Sequence, residues 1–280
     1  MLLIVGEAIV AYQREDDGPF TGPWPSGSPA IAAYVAGRLG VPTTFVGGIG
    51  RDDHGRVMTD GLAAGGVETG HLAVSGDRPT ATASITYRGE EREFDFRVTG
   101  SAAVQVTDRD LGDLPERAGW LHLSGSALIF GEPLAATTLT ALRRARAAGA
   151  RISVDPNVRP SALTPATRDA LVEVLGLAHV LLPSEGELEA LGLDPAGFGD
   201  AVVCTTYGSG GATVRDASGS VHLDALPVDA IDTDGAGDSF AAGFIAASLA
   251  GASPLDAARE GIRVAAEAVQ VVGPMTVRPR

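Results

Sequence analysis

Asp232-Thr233-Asp234-Gly235-Ala236-Gly237-Asp238-Ser239-Phe240, running into the apolar, alanine-rich Ala241–Leu249, is the stretch on which fold and chemistry both turn. Two glycines around a small residue, just ahead of a helical pattern, leave successive backbone N–H groups free to converge on one oxyanion. The helix dipole adds to that positive potential. Such a nest stabilises charge developing on a transferred phosphoryl group. Asp238 falls in the first helical turn. A carboxylate beside an anion hole opposes anion binding unless it has a task, and accepting the proton of an attacking hydroxyl is such a task. Capping the helix is the other role open to it. Locally the two readings stand level.

Outward from this stretch, strand-like and helix-like segments alternate, which predicts a mostly parallel sheet covered by helices. Strands are expected at Leu2–Val5, Thr43–Val46, Trp120–Leu123, Arg151–Val154, His179–Leu182 and Ala201–Thr205. Helices are expected at Pro29–Leu39, about Asp53–Ala64, Glu132–Ala148, Pro165–Leu175, Ser184–Leu191, Asp238–Leu249 and Pro254–Val271. Gly40 and then Pro42 stop the first of these. Between Gly70 and Val98 the pattern changes. Ala81–Tyr87, the turn Arg88-Gly89-Glu90 and Arg92–Phe96 read as an antiparallel hairpin with one polar face. An isolated two-stranded sheet is marginal in water, so this segment needs a surface to cover. A lid formed by about residues 8–20 and 70–98, on a single α/β domain spanning 1–280, is the expected organisation, with a homodimer through the lid as a further expectation.

The 280 residues, 45% of them apolar, suffice for a full core without disulfides. Cys204, the single cysteine, sits in an apolar run and has no partner. The apolar opening Met1–Val5 is too short for a secretory leader, and no run is long enough to span a membrane, so a cytoplasmic protein is expected. A net charge of −14 argues against nucleic acid or an anionic membrane as partner. All 21 basic residues are arginine. Without lysine there is no P-loop lysine, no protein-kinase strand lysine and no Schiff base. Phosphate must be held by backbone N–H groups, arginine and a bound cation.

Asp232 to Asp238 resembles the D-T-x-G-A-G-D signature of the PfkB family of carbohydrate kinases, whose members share the ribokinase fold. Three further elements resemble that family in its order: Gly47–Gly55 its G-x-x-G-x-D-x-x-G element, Asp155–Pro160 its D-P-N-x-R-P run, and Thr206–Gly211 its T-x-G-x-x-G turn. The resemblance implies a ribokinase-like three-layer αβα sandwich with a small β-lid. It also implies ATP and Mg²⁺, with K⁺ as a further cation, and a small-molecule substrate bearing a hydroxyl acceptor. It makes Asp238 the base and Gly235, Ala236 and Gly237 the anion hole. Arg159 becomes a cation over the phosphoryl group or over an acidic end of the substrate. Thr206, Gly208, Gly211 and Asn157 are implied for the nucleotide. Glu187 is implied for the water shell of Mg²⁺, although Ser184-x-x-Glu187 is also a capping box. Asp232 and Asp234 are implied beside a monovalent cation.

The departures bear on substrate. The family opening G-E-x-x-x-D ends here on Ala11, and G-G-x-x-x-N reads Ser26-Gly27-Ser28-Pro29-Ala30-Ile31. Gly27, Ala11 and Ile31 therefore mark the substrate site, with two polar anchors for a polyol replaced by apolar side chains. A more apolar pocket and altered specificity are expected. An ordinary fructokinase or 2-keto-3-deoxygluconate kinase is one alternative; a non-catalytic ligand-binding protein on the same fold is another, disfavoured by the intact Asp238. The dinucleotide fingerprint fails at Asp53, and no G-x-S-x-G elbow occurs. The histidines at 54, 71, 122, 179 and 222 lack metal-ligand spacing, and His122 and His179 read as core residues.

Overall fold

Strand β1 (Leu2–Val5) shows how the molecule is layered. Leu2 and Ile4 join one apolar cluster and Leu3 and Val5 another, as alternate side chains leave opposite faces of a strand. A strand apolar on both faces must be covered on both, which is the condition of a parallel sheet between helices. The computed structural model describes residues 1–89, 91–159 and 162–276; Glu90 of the expected turn and Pro160 of the D-P-N-x-R-P run lie outside them.

The remaining strands, in chain order, are β2 (Ile9–Glu15), β3 (Thr21–Ser26), β4 (Thr43–Val46), β5 (Gly48–Gly50), β6 (Ala73–Ser75), β7 (Ala81–Arg88), β8 (Glu91–Arg97), β9 (Trp120–Ser124), β10 (Arg151–Asp155), β11 (Val180–Leu181), β12 (Val202–Thr206), β13 (Ala212–Asp216) and β14 (Gly219–Leu223). Among the described residues the large sheet runs β14-β13-β12-β11-β10-β9-β1-β4. Its pairings from β4 to β12 are parallel, and β13 and β14 extend it antiparallel. Helices Ser28–Arg38, Ala236–Leu249 and Pro254–Ala268 cover the face of Leu2 and Ile4, while Leu134–Ala147 and Pro165–Gly176 cover the other. This is a three-layer αβα arrangement. Buried His122 has its Nδ1 2.9 Å from Ser153 Oγ, and burial pulls its ring down to about 4, so it stays neutral. Burial likewise pushes the Cys204 thiol up to about 12, leaving it inert.

A second sheet, β3-β2-β7-β8, stands apart from the first. It takes in Thr21–Ser26, whose two prolines argue against a strand in sequence; β3 is an edge, where proline is tolerated. It does not take in residues 70–80, of which Ala73–Ser75 pairs with β5 instead. The helix expected at Ser184–Leu191 shrinks to Glu187–Ala190, because Gly186 adopts a left-handed conformation ahead of it. The β13–β14 hairpin is an addition to the expected elements.

The parallel register sets Leu2 opposite Trp120 and Asp155 opposite Ser124, so the carboxyl ends of β1, β9 and β10 finish at one edge. Ligands of open α/β sheets bind at that edge. Gly125, in the turn just beyond β9, lies so close to the Pro156 carbonyl oxygen and the Leu171 side chain that a Cβ would collide with both. Gly125→Ala should therefore lower stability by about 1–3 kcal/mol, an overpacking cost readable as a lower urea midpoint.

Candidate active site

The carboxyl edge of the large sheet and one face of the small sheet line a partly open cavity of about 60 Å³. The large sheet and its helices contribute Glu7, Ser28, Ile31, Asn157, Arg159 and Asp238 to its wall; the small sheet contributes Ile9, Ala83, Ile85, Phe94 and Phe96. Alternation along β7 aims Ala83 and Ile85 at the same side, and β8 places Phe94 opposite Ile85 and Phe96 opposite Ala83.

Asp238 enters from the third position of the helix Ala236–Leu249, whose N-cap is Gly235. It is 9% exposed and makes no cap bond; its Oδ1 accepts from Ser28 Oγ at 2.6 Å. The capping role open in the sequence is thus not the one the side chain plays. Burial pushes its carboxyl up to about 7, against the hydrogen bond from Ser28, with the nearby Asp234 charge adding to the rise. Gly235 has φ +75°, and a Cβ there would press on Pro274 and Ile31, so glycine is demanded. Nothing stands within 4 Å of the place a Gly237 Cβ would take. Space and first-turn N–H groups coincide there.

Arg159 reaches the cavity between aromatic faces. Its guanidinium carbon lies 5.3 Å from the centroid of Phe94 and 5.8 Å from that of Phe96, and the two rings stack 5.5 Å apart. Its Nε is buried without a hydrogen-bond partner, and among the described residues it forms no ion pair. The cation stacks on these rings and lies within the field of the Glu7, Asp155, Glu187 and Asp238 carboxyl groups.

Glu187 joins two loops: Oε1 accepts from Val158 N at 2.7 Å and Oε2 from Ser184 N at 2.8 Å. Burial raises its carboxyl. The neighbouring Asp155 is raised well above the usual carboxylate range by burial, and then by the charges of Glu187 and Asp238. Ser184 in turn bridges Thr206, after which Gly208 and Gly211 turn the chain toward β13. A Cβ at Gly211 would strike the Leu223 carbonyl oxygen, so the T-x-G-x-x-G turn is locked against β14. Exposed Leu226, Val228 and Ile231 follow on the segment leading back to Asp232.

Several assigned residues sit differently from expectation. Asn157 lines the cavity and donates from Nδ2 to Ser28 Oγ at 2.9 Å, so it belongs with Asp238 rather than with Thr206, Gly208 and Gly211. Ile31 and Gly27 line the cavity, but Ala11, two residues beyond Ile9, is wholly buried and does not. Asp232 is a clasp. Its Oδ1 accepts from Asp234 N and from Tyr87 of the small sheet, each at 2.9 Å, and its Oδ2 accepts from Gly273 N at 2.9 Å. Three of its roughly four acceptor sites are thereby taken. Asp234 faces Gln13 of the small sheet, with Nε2 at 3.5 Å from Oδ2. Among the described residues no group of three or more His, Cys, Asp or Glu could hold a metal ion by itself. Ser126, Phe94 and Phe96 carry no signal of their own in the sequence, and Glu7 and Ser28 fall inside the G-E-x-x-x-D and G-G-x-x-x-N stretches without a role assigned there; their contacts join distant segments.

The profile of the pfkB family of carbohydrate kinases matches residues 24–280. The chain belongs to that family. It is 33% identical to the fructokinase of Salmonella typhimurium over 271 residues, covering 90% of this chain and 86% of that one. The crystal structure of a candidate ribokinase II of Escherichia coli in complex with ATP and Mg²⁺ superposes with a TM-score of 0.89 at 32% identity, covering 100% of this chain and 96% of that one. The fructokinase of Vibrio cholerae, bound to fructose, ADP and calcium ion, gives 0.88 at 28% identity, covering 99% and 95%. This chain is an ATP-dependent carbohydrate-type kinase with a ribokinase-like fold, a phosphotransferase acting on a hydroxyl group, and it works with ATP and a divalent metal ion. Among the described residues no helix is long and apolar enough to cross a membrane.

Tyr87→Phe keeps the ring and removes the donor to Asp232. The kinase should lose about 1–3 kcal/mol of stability, seen as a lower denaturation midpoint, since a buried carboxylate loses a hydrogen bond.

Proposed function

We propose that the cavity between the two sheets receives a sugar-like alcohol and that Asp238 is the base for its phosphorylation. The acceptor hydroxyl gives its proton to Asp238, its oxygen bonds to the γ-phosphorus of ATP, and the bond from that phosphorus to the bridging oxygen breaks to release ADP. One observation carries this reading. Asp238 lies in the cavity wall, steadied by Ser28, on the first turn of the helix assigned as the anion hole, where the Ala236 N–H reaches Thr233 O at a long 3.4 Å and the Gly235 and Gly237 N–H groups stand on either side of it.

Thr206, Gly208 and Gly211 are assigned to the nucleotide, and Leu226, Val228 and Ile231 offer apolar walls for its base. Arg159 is assigned to the phosphoryl group or an acidic end of the sugar. Glu187 and Asp155 fit a Mg²⁺ site reached through water, because a cation would relieve the burial of two adjacent carboxylates. When bound, the ion neutralises phosphate charge. Asp232 and Asp234 are the pair assigned to a monovalent cation such as K⁺. The small sheet serves as a lid, walling the cavity from one side with Ile9, Ala83, Ile85, Phe94 and Phe96. A homodimer through this lid would use β8, since β3 carries two prolines at the other edge. ATP as donor and a reduced buried cysteine support a cytoplasmic setting.

Relatives named fructokinase favour fructose as the sugar. Ile31 in the wall, packed against Gly235, favours an acceptor with fewer hydroxyls, because a hydroxyl buried against it costs about 1–3 kcal/mol. The carboxylate missing at Ala11 no longer supports that argument directly.

Asp238→Asn should reduce kcat by about 10²–10⁴-fold or more while nucleotide affinity, measured by calorimetry, changes little. Wild-type turnover in that variant would remove the base assignment. On a panel of sugars, nucleosides and simple alcohols, fructose should show a high KM, and Ile31→Asn should lower it. Efficient fructose phosphorylation by the unaltered protein, with kcat/KM near about 10⁵ M⁻¹s⁻¹, would return the substrate reading to an ordinary fructokinase.

A further inference from the structure

Asp238 is one end of an unbroken line of hydrogen bonds. Ser28 Oγ lies 2.6 Å from Asp238 Oδ1 and 3.0 Å from Ser124 Oγ. Ser124 Oγ lies 2.7 Å from Ser126 Oγ, and Ser126 Oγ lies 2.7 Å from Glu7 Oε1. The line thus joins two carboxyl groups through three hydroxyls, across segments far apart in sequence.

Each of its four links needs one proton, and a serine hydroxyl supplies one. With both carboxyls ionised the line is one proton short. Ser28 then serves Asp238, Ser126 serves Glu7, and Ser124 can satisfy only one of its neighbours. One added proton completes every link, in either of two directions. Glu7 can donate to Ser126, Ser126 to Ser124, Ser124 to Ser28 and Ser28 to an ionised Asp238, or the whole sequence can run in reverse. The amide of Asn157 donates to Ser28 in both cases and takes no proton from the line.

We propose that Glu7 and Asp238 share one proton through Ser126, Ser124 and Ser28, with Glu7 storing it so that Asp238 stands ionised to receive the proton of the substrate. This rests on the reading of Asp238 as base. After transfer the line holds two protons, and one leaves to solvent when the cavity opens with the products.

Three observations favour Glu7 as the store. It is 1% exposed, and its Oε2 is buried with no partner. A neutral acid leaves only a carbonyl oxygen unpaired there, whereas an ionised one would strand charge. Burial pushes the Glu7 carboxyl up to about 7, the range in which Asp238 also falls. The charged groups facing Glu7 are Asp238 and Arg159; those facing Asp238 are Asp234, Arg159, Glu187 and Asp155. This excess of carboxylate over guanidinium favours a retained proton.

Infrared spectroscopy of the unliganded kinase tests the store without reference to catalysis. The carbonyl band of a protonated carboxyl should be present at neutral pH in the natural protein and lost or clearly weakened in Glu7→Gln. A natural protein without the band, or a band untouched by Glu7→Gln, overturns the proposal. Kinetics test the line itself through Ser124, which is buried and touches neither the cavity nor a carboxylate. Ser124→Ala strands an entering proton on Asp238, so the acid limb of kcat/KM should move up by about one pH unit. Glu7→Gln should leave the limb close to its natural position, since the amide can donate to Ser126 as the protonated acid does and completes the line toward an ionised Asp238. An ionised Glu7 acting only by charge repulsion predicts a fall of the limb in Glu7→Gln, and a purely structural Ser124 predicts no shift for Ser124→Ala; either result overturns the sharing. Should Ser124→Ala not fold, the infrared result on Glu7→Gln decides. Turnover surviving in Asp238→Asn would remove the base while leaving the infrared band intact, so the two readings fail separately.

Discussion

The parallel register of β1, β9 and β10 is the constraint on which the site depends. Because Val5 pairs with Leu123 and Val154 pairs with the same residue from the other side, the three strands end at one level. The residues that follow them, Glu7, Ser124 to Ser126 and Asp155 to Asn157, are thereby brought side by side from three distant stretches of the chain. A shift of one residue in either pairing would turn alternate side chains to the opposite face and dissolve the arrangement. The polar groups at this edge are tolerated only because each is tied to another, and the hydrophobic layers on both faces hold the strands that present them.

Much of the fold was legible because it rests on local signals. Apolar runs of strand length, alanine-rich helical stretches and glycine stops identified the βα alternation within a residue or two at most ends. The failures have physical causes. Thr21–Ser26 reads poorly as a strand because proline cannot donate to a ladder, and only its position at an edge makes it one. β13 and β14 carry an alternation and a turn at Asp216–Gly219, signals that sit in the sequence but compete with the polar residues around them. The shortened helix at Glu187–Ala190 follows from the left-handed Gly186, which no periodicity reveals.

The site divides in the same way. Asp238 and the glycines before it form a contiguous motif, so their proximity could be read locally, although the local sequence left base and helix cap level. Ser28, Ser124, Ser126 and Glu7 are ordinary residues in sequence, and their partners lie from 2 to 210 positions away. Arg159 was legible as a cation, but its seat between Phe94 and Phe96 depends on how the small sheet folds over the large one. Ala11 was assigned by position in a pattern; the structure keeps it behind the wall because a methyl two residues past Ile9 does not reach the cavity.

The small sheet walls one side of the cavity as a hydrogen-bonded plate, fastened by Tyr87 to Asp232 and facing Asp234 with Gln13. Strands bonded to one another would move together if this wall moved. The character of the wall matters for a competing acceptor. Water carries a hydroxyl of its own, and a phosphoryl group exposed to bulk solvent is lost to hydrolysis. Ile9, Ala83, Ile85, Phe94 and Phe96 offer a water molecule beside Asp238 no side-chain hydrogen-bond partner on their side of the cavity. On the reading of Asp238 as base, such a wall would favour a bound alcohol over water as the acceptor.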